Sequence, residues 1–147
     1  MSIKLLHVRS GPSCSIYALA YPNQDTNPDP CPTLAFLSAQ GSNPTEQLKL
    51  ASLLTRVAQY GPPENESKFR PLGGSDYLYE FKTSGGLRLL CFWDGDRLII
   101  CTHGVGKLAK KKFQGEMTAA ENSRIKYFAA KSEKKLLHGP APKKSLK

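Results

Sequence analysis

The sequence has little of what marks metal-bound, secreted or membrane-spanning chains. Its four cysteines, Cys14, Cys31, Cys91 and Cys101, form no Cys-x-x-Cys pair and no Cys/His spacing that fits zinc. They read as reduced core thiols, and no metal or cofactor is expected. No apolar run approaches the ~20 residues of a bilayer span, so no membrane association is expected. Near the N-terminus, Arg9 and Pro12 cut the short Leu5-Leu6 stretch far below signal-peptide length, and the expected compartment is a reducing cytoplasm. There is no internal repeat. Acidic residues are scarce in one region: over residues 103–147 only Glu116, Glu121 and Glu133 oppose 11 lysines and Arg124.

What is present is a chain of 147 residues with 21 Lys and Arg against 12 Asp and Glu, a net charge of +9. That length suits one domain with a real core. Residues 1–102 hold nine side chains of each sign, so the whole excess lies in the last 45 residues. Such a segment either meets a polyanion, where each neutralised phosphate releases counterions, or forms a solvated lysine face.

Periodicity gives an outline. Residues 14–20 alternate as a strand, and residues 22–32, rich in Asn, Asp and Pro, read as a surface loop. Leu34, Phe36 and Leu37 suggest a short helical turn. Asn43-Pro44-Thr45-Glu46 supplies an N-cap, a proline at the first helical position and a following Glu, so a helix is expected to about Tyr60, ended by Gly61 and two prolines. From Tyr77 the period becomes two. Strands over 78–82, 87–93 and 97–103, joined at Thr83-Ser84-Gly85-Gly86 and Asp94-Gly95-Asp96, form an antiparallel meander. The last two are apolar on both faces and belong at the sheet centre. A turn centred anywhere from Asp94-Gly95 to Gly95-Asp96 sets Cys91 opposite residue 98, 99 or 100 and not Cys101, which argues against a disulfide. Thr118-Ala119-Ala120-Glu121 fits a capping box, so a basic helix is expected from Ala119 to about Leu137. The domain then spans residues 1–138, and 139–147 form a disordered basic tail.

Five strings, in this order, resemble the phage-derived HigB-like branch of the RelE/ParE toxin superfamily. They are Leu54-Leu-Thr-Arg-Val-Ala-Gln-Tyr-Gly-Pro-Pro63, Lys68-Phe-Arg-Pro-Leu-Gly73, Leu78-Tyr-Glu-Phe-Lys82, Arg88-Leu-Leu-Cys-Phe-Trp93 and Ile99-Ile-Cys-Thr-His-Gly-Val-Gly-Lys107. The resemblance covers roughly residues 45–130. It implies a small RelE-like α+β domain, with N-terminal helices and a basic C-terminal helix packed on the meander. It also implies a cytoplasmic toxin paired with a helix-turn-helix antitoxin. Many members of the superfamily cut mRNA on the ribosome without a metal; the ParE side acts on gyrase by protein contact instead. A plain nucleic-acid-binding accessory protein is a third reading.

Cleavage by attack of the ribose 2′-OH on the adjacent phosphate needs a proton acceptor, a donor to the leaving oxygen and cations for the developing charge. By resemblance, Arg88 matches the superfamily's strand Arg and Lys107 the Lys ending the last strand. His103 is a candidate proton carrier, or else a hydrogen-bonded structural residue. Arg88 in turn either orients a phosphate or pairs with Glu80 across the hairpin. Gly104 and Gly106 let the backbone ahead of Lys107 approach a ligand. Lys82, Lys110, Lys111, Lys112 and Arg124 are candidate RNA contacts, with solvated lysines as the plain alternative. Trp93, Phe92 and Tyr79 read mainly as core. Two residues depart from RelE proper: Glu80 stands where a basic residue is usual, and Leu108 where an Arg follows the Gly-Lys.

Overall fold

The computed structural model describes residues 2–25, 29–38, 44–63, 68–106 and 110–139. In chain order the elements are β1 (Ile3–Ser10), β2 (Ser15–Ala20), α1 (Pro32–Leu37), α2 (Pro44–Tyr60), β3 (Phe69–Pro71), β4 (Leu78–Lys82), β5 (Arg88–Trp93), β6 (Leu98–Val105), α3 (Lys110–Ser132) and β7 (Leu136–His138). One seven-stranded sheet runs β3-β4-β5-β6-β2-β1-β7. The expected meander is there, antiparallel from β3 to β6. The sheet as a whole is mixed, because β2 lies parallel to β6 and β1 parallel to β7. The difference from an all-antiparallel sheet has two sources. β2 and β6 are each legible as strands, but their parallel pairing joins segments far apart in sequence, which periodicity does not report; the other added strands have weak sequence signals. In β1 the alternation of Ile3, Leu5 and Val8 is broken by a bulge between His7 and Arg9, while β3 and β7 have only three residues each.

Alternation along the strands builds two cores, one on each face. Leu50, Leu54 and Val57 of α2, with Phe36 of α1, pack on Ile16, Phe81, Leu89, Cys91, Ile99 and Cys101. On the opposite face Met117, Ala120, Tyr127 and Ala130 of α3 pack on Leu78, Leu90, Phe92 and Ile100. β5 and β6 are therefore covered on both sides, as their two apolar faces require. Helix α2 matches its expected span, and Asn43, the N-cap expected from the sequence, lies outside the described residues.

Helix α3 starts about two turns before the expected capping box and stops earlier than Leu137. Thr118 is not a cap: its hydroxyl donates back to the Gln114 carbonyl, 3.2 Å away, within the helix. At the other end the Lys135 N–H donates to the Ala130 carbonyl and the Lys134 N–H to the Lys131 carbonyl. With Lys134 in the left-handed region at φ 59°, this is a Schellman closure made without glycine, so no stop signal stands in the sequence. The chain then turns back to pair with β1. The Gly139 N–H donates to the Leu5 carbonyl, and residues 140–147 lie outside the described residues.

One register expectation is corrected. Cys91 does pair with Cys101, because the β5–β6 turn is centred on Asp96, just beyond the range expected, which moves the partner of Cys91 one position past residue 100. The Asp94 N–H closes it on the Leu98 carbonyl, and Gly95 supplies a φ of 79°. All four cysteines are nonetheless free thiols. Burial pushes the Cys91 and Cys101 thiols well above the ordinary cysteine range, which keeps them protonated and unreactive.

Candidate functional site

The register across the meander sets Arg70, Glu80, Leu90 and His103 side by side in one row. The neighbouring row places Arg88 opposite Lys82 on one side and Val105 on the other. Strict alternation along β6 would turn His103 away from α3, since Cys101 packs under the α1–α2 layer. A bulge at Thr102 inserts one extra residue and reverses that. His103 thereby joins Leu90 on the face that α3 covers.

Glu80 is fully buried between two guanidiniums. Arg70 Nε donates to Oε2 at 2.8 Å, and Arg88 Nε lies 3.6 Å from Oε1, an oxygen with no hydrogen bond of its own. A buried carboxylate costs several kcal/mol unless it is paired, and here two cations answer one anion, leaving a positive charge at the site. Arg88 is held from a second side by Phe113 of α3, whose ring centre lies 4.4 Å from the guanidinium carbon. Its side chain is 26% exposed and makes no hydrogen bond to the described residues. Among the described residues no group hydrogen-bonds its terminal nitrogens.

His103 Nε2 lies 2.8 Å from Glu116 Oε1 of α3, and Nδ1 lies 3.1 Å from the Thr102 hydroxyl. That hydroxyl donates to the Leu90 carbonyl at 3.3 Å, so both ring nitrogens face acceptors. The imidazole is fixed in orientation, with a carboxylate able to exchange a proton at Nε2. Lys111 and Lys112 are exposed on the first turn of α3. Lys107, and the side chain of Lys110, lie outside the described residues.

Arg124 is not brought to this corner. It lies near the start of β4, donating through Nε and Nη2 to Glu121 and resting 4.0 Å over the Tyr77 ring. Gly104 serves packing, because a Cβ there would meet the Phe36 ring of α1, whereas a Cβ on Gly106 would meet none of the described residues within 4 Å. The fold holds two further histidines away from this corner. His7 stands in β1, its Nε2 2.8 Å from the Ser10 hydroxyl, with burial and then the Arg9 charge lowering its pKa; His138 ends β7. Arg70, Phe113 and Glu116 are site residues that sequence reasoning missed. In the sequence Arg70 is one of nine cations in the balanced first part of the chain and Glu116 one of three acids in the basic part, and neither stands out from the others.

Among the described residues no group of three or more His, Cys, Asp or Glu is placed to hold a metal. No helix among them is long and apolar enough to cross a membrane.

Helices on both faces of a mixed sheet, with a cation-rich corner beside the first turn of the last helix, define a small α+β domain. The chain belongs to the family described as Phage derived protein Gp49-like (DUF891), whose model matches residues 40–134. The match runs from the approach to α2 through α3 and leaves β1, β2, α1 and β7 outside it. No curated protein and no solved structure matches the chain.

Proposed function

We propose that this protein is the toxin of a toxin–antitoxin pair and that the Arg88 corner cuts mRNA on the ribosome. Membership of the Gp49-like family, which is associated with such toxins, supports the first part. The single observation that carries the second is the state of Arg88. Its guanidinium is paired with buried Glu80, stacked on Phe113, and hydrogen-bonded through its terminal nitrogens to none of the described residues. That is how a fixed cation stabilises charge that develops during a reaction. Glu80, at first sight a liability beside a phosphate, becomes the anchor that aims Arg88.

In this mechanism the ribose 2′-OH attacks the adjacent phosphorus and the bond to the 5′-oxygen of the next nucleotide breaks. The products are a 2′,3′-cyclic phosphate and a 5′-hydroxyl. Arg88 and Lys107 stabilise the extra negative charge on the phosphate oxygens. The His103–Glu116 pair takes the proton from the 2′-OH and returns one to the leaving oxygen. Lys82, Lys110, Lys111 and Lys112 contact flanking phosphates, and Arg124, engaged with Glu121, is the remotest of the proposed RNA-binding residues. A helix-turn-helix antitoxin would neutralise the toxin by covering this basic face. Induced alone in a bacterial host, the wild-type chain is expected to arrest growth and Arg88→Ala to relieve the arrest at equal soluble level. An Arg88→Ala protein that is folded and still arrests growth would contradict the proposed site.

A second reading is a toxin that acts by protein contact without cleavage. It draws on one observation: both ring nitrogens of His103 are already engaged. Growth arrest that survives every substitution at Arg88 and His103 would favour it.

A further inference from the structure

On the other side of β4 lies a groove of about 680 Å³ between α2 and the β3–β4 edge of the sheet. One wall is the face of α2 carrying Leu48, Lys49, Ser52 and Arg56; the other is formed by Lys68, Lys82, Thr83 and Ser84. No carboxylate lines it among the described residues. Lys49 is engaged, donating to Glu46 Oε2 at 2.9 Å and to the Ser84 hydroxyl at 3.0 Å. Glu46 also accepts the Gly85 N–H at 2.7 Å, which pins the β4–β5 loop against α2 and fixes that end of the groove. Arg56, Lys68 and Lys82 form no ion pair with any described residue. Three cations with no ion-pair partner among the described residues, set around one concave surface, repel one another, and a bound anion relieves that repulsion.

We infer that this groove holds the phosphate backbone of a single-stranded RNA, with Arg56, Lys68 and Lys82 as its cations. The inference rests on the cleavage reading and extends it from one reacting phosphate to the strand that carries it. Continuity is the argument for RNA. Lys82 pairs in register with Arg88, and the Lys82 N–H bonds the Lys68 carbonyl at 2.8 Å. Cations thus run from the candidate reaction corner, across the edge of the sheet, into the groove. The hydroxyls of Ser52, Thr83 and Ser84 offer neutral donors to phosphate oxygens between the cations. Tyr60, 73% exposed on α2 with the Arg56 guanidinium 5.8 Å from its ring centre, gives a base a surface to stack on. The apolar lining of the groove, Leu48, Leu53 and Pro63, is interrupted by Lys49, Ser52 and Arg56, so it lacks the continuous apolar floor that an acidic amphipathic helix of a protein partner needs.

The test is fluorescence anisotropy of a labelled single-stranded 2′-O-methyl RNA, which lacks the attacking hydroxyl, binding the full chain across a salt series. Arg56→Ala/Lys68→Ala is expected to weaken binding at least tenfold and to lower the salt dependence by about 1.4, near 0.7 for each phosphate of the single strand that no longer meets a cation. Circular dichroism and the melting temperature show whether the variant is folded. Unchanged affinity and slope in a folded double variant overturn the groove assignment even if Arg88-dependent cleavage is observed. Loss of RNA affinity in that variant while the wild type cleaves nothing upholds the groove and removes the cleavage reading. Should the double variant keep RNA affinity but lose binding to a poly-glutamate peptide, the groove belongs to an acidic protein partner and the inference fails.

Discussion

At the scale of single residues, Glu80 decides the character of the site. A carboxylate with no solvent exposure survives there because Arg70 and Arg88 flank it, and its removal leaves two partly buried guanidiniums facing each other. Glu80→Ala is expected to lower the free energy of unfolding by about 3 kcal/mol, the scale of a broken buried pair. Urea denaturation measures this, and a change under about 1 kcal/mol, the scale of an exposed pair, would show that the carboxylate is not the anchor. The sequence made the Arg88–Glu80 pairing legible, since a hairpin register brings the two positions near one another, and it offered that pairing as the alternative to phosphate binding. It did not reveal Arg70. Strand β3, which carries it, has three residues and ends in proline, too short to show any period. Glu116 and Phe113 were illegible for another reason: both sit on turns of α3 that precede its false capping box.

Among the elements, the long α2 was readable from its proline, its apolar spacing and its Gly-Pro-Pro stop, because each signal acts locally. The meander was readable for the same reason. What escaped were features decided by distant contacts: the bulge at Thr102 that turns His103 toward α3, the left-handed Lys134 that stops the helix, and the parallel pairing of β1 with β7. The β5–β6 turn is also bound to α3, through Asp94 Oδ2, which accepts from the Tyr127 hydroxyl at 2.6 Å and from Lys131 Nζ at 2.7 Å. Burial alone would raise the Asp94 pKa, but the Lys131 and Tyr127 bonds outweigh it and hold the carboxyl below its ordinary value. A carboxyl lowered on folding adds stability that is fully present above its unfolded pKa, about 3.9, and is lost as pH falls through the folded value. Asp94→Asn is therefore expected to cost about 2 kcal/mol at neutral pH, the scale of a hydrogen bond to a charged group, and to flatten the loss of stability below about pH 4. Thermal melts from neutral pH down to about pH 2, below both values, follow the two effects. Parallel curves for the two proteins would contradict this role for Asp94.

For the whole molecule, charge and fold are laid out together. Residues 1–102 are electrically balanced and supply six of the seven strands almost complete, whereas residues 103–147 carry the entire excess of +9. That excess enters the structure through α3, whose exposed Lys111 and Lys112 begin beside the Arg88 corner. The sequence located this basic end directly from composition, and the resemblance assigned it to mRNA. Composition gave no hint of the second basic surface, the groove along α2, because its cations are scattered over residues 49–82 in a stretch belonging to the balanced part of the chain. Only folding brings them to one edge of the sheet.

The most direct test of the cleavage account is to map mRNA ends in a reconstituted translation reaction, with and without ribosomes, for the wild type and for Arg88→Ala. The account predicts new 5′-hydroxyl ends opposite 2′,3′-cyclic phosphates with wild-type protein and ribosomes together, and roughly a hundredfold fewer with Arg88→Ala, the scale of one missing charge-stabilising group. Intact mRNA in the presence of folded wild-type protein and active ribosomes, or equal cutting by Arg88→Ala, would contradict it.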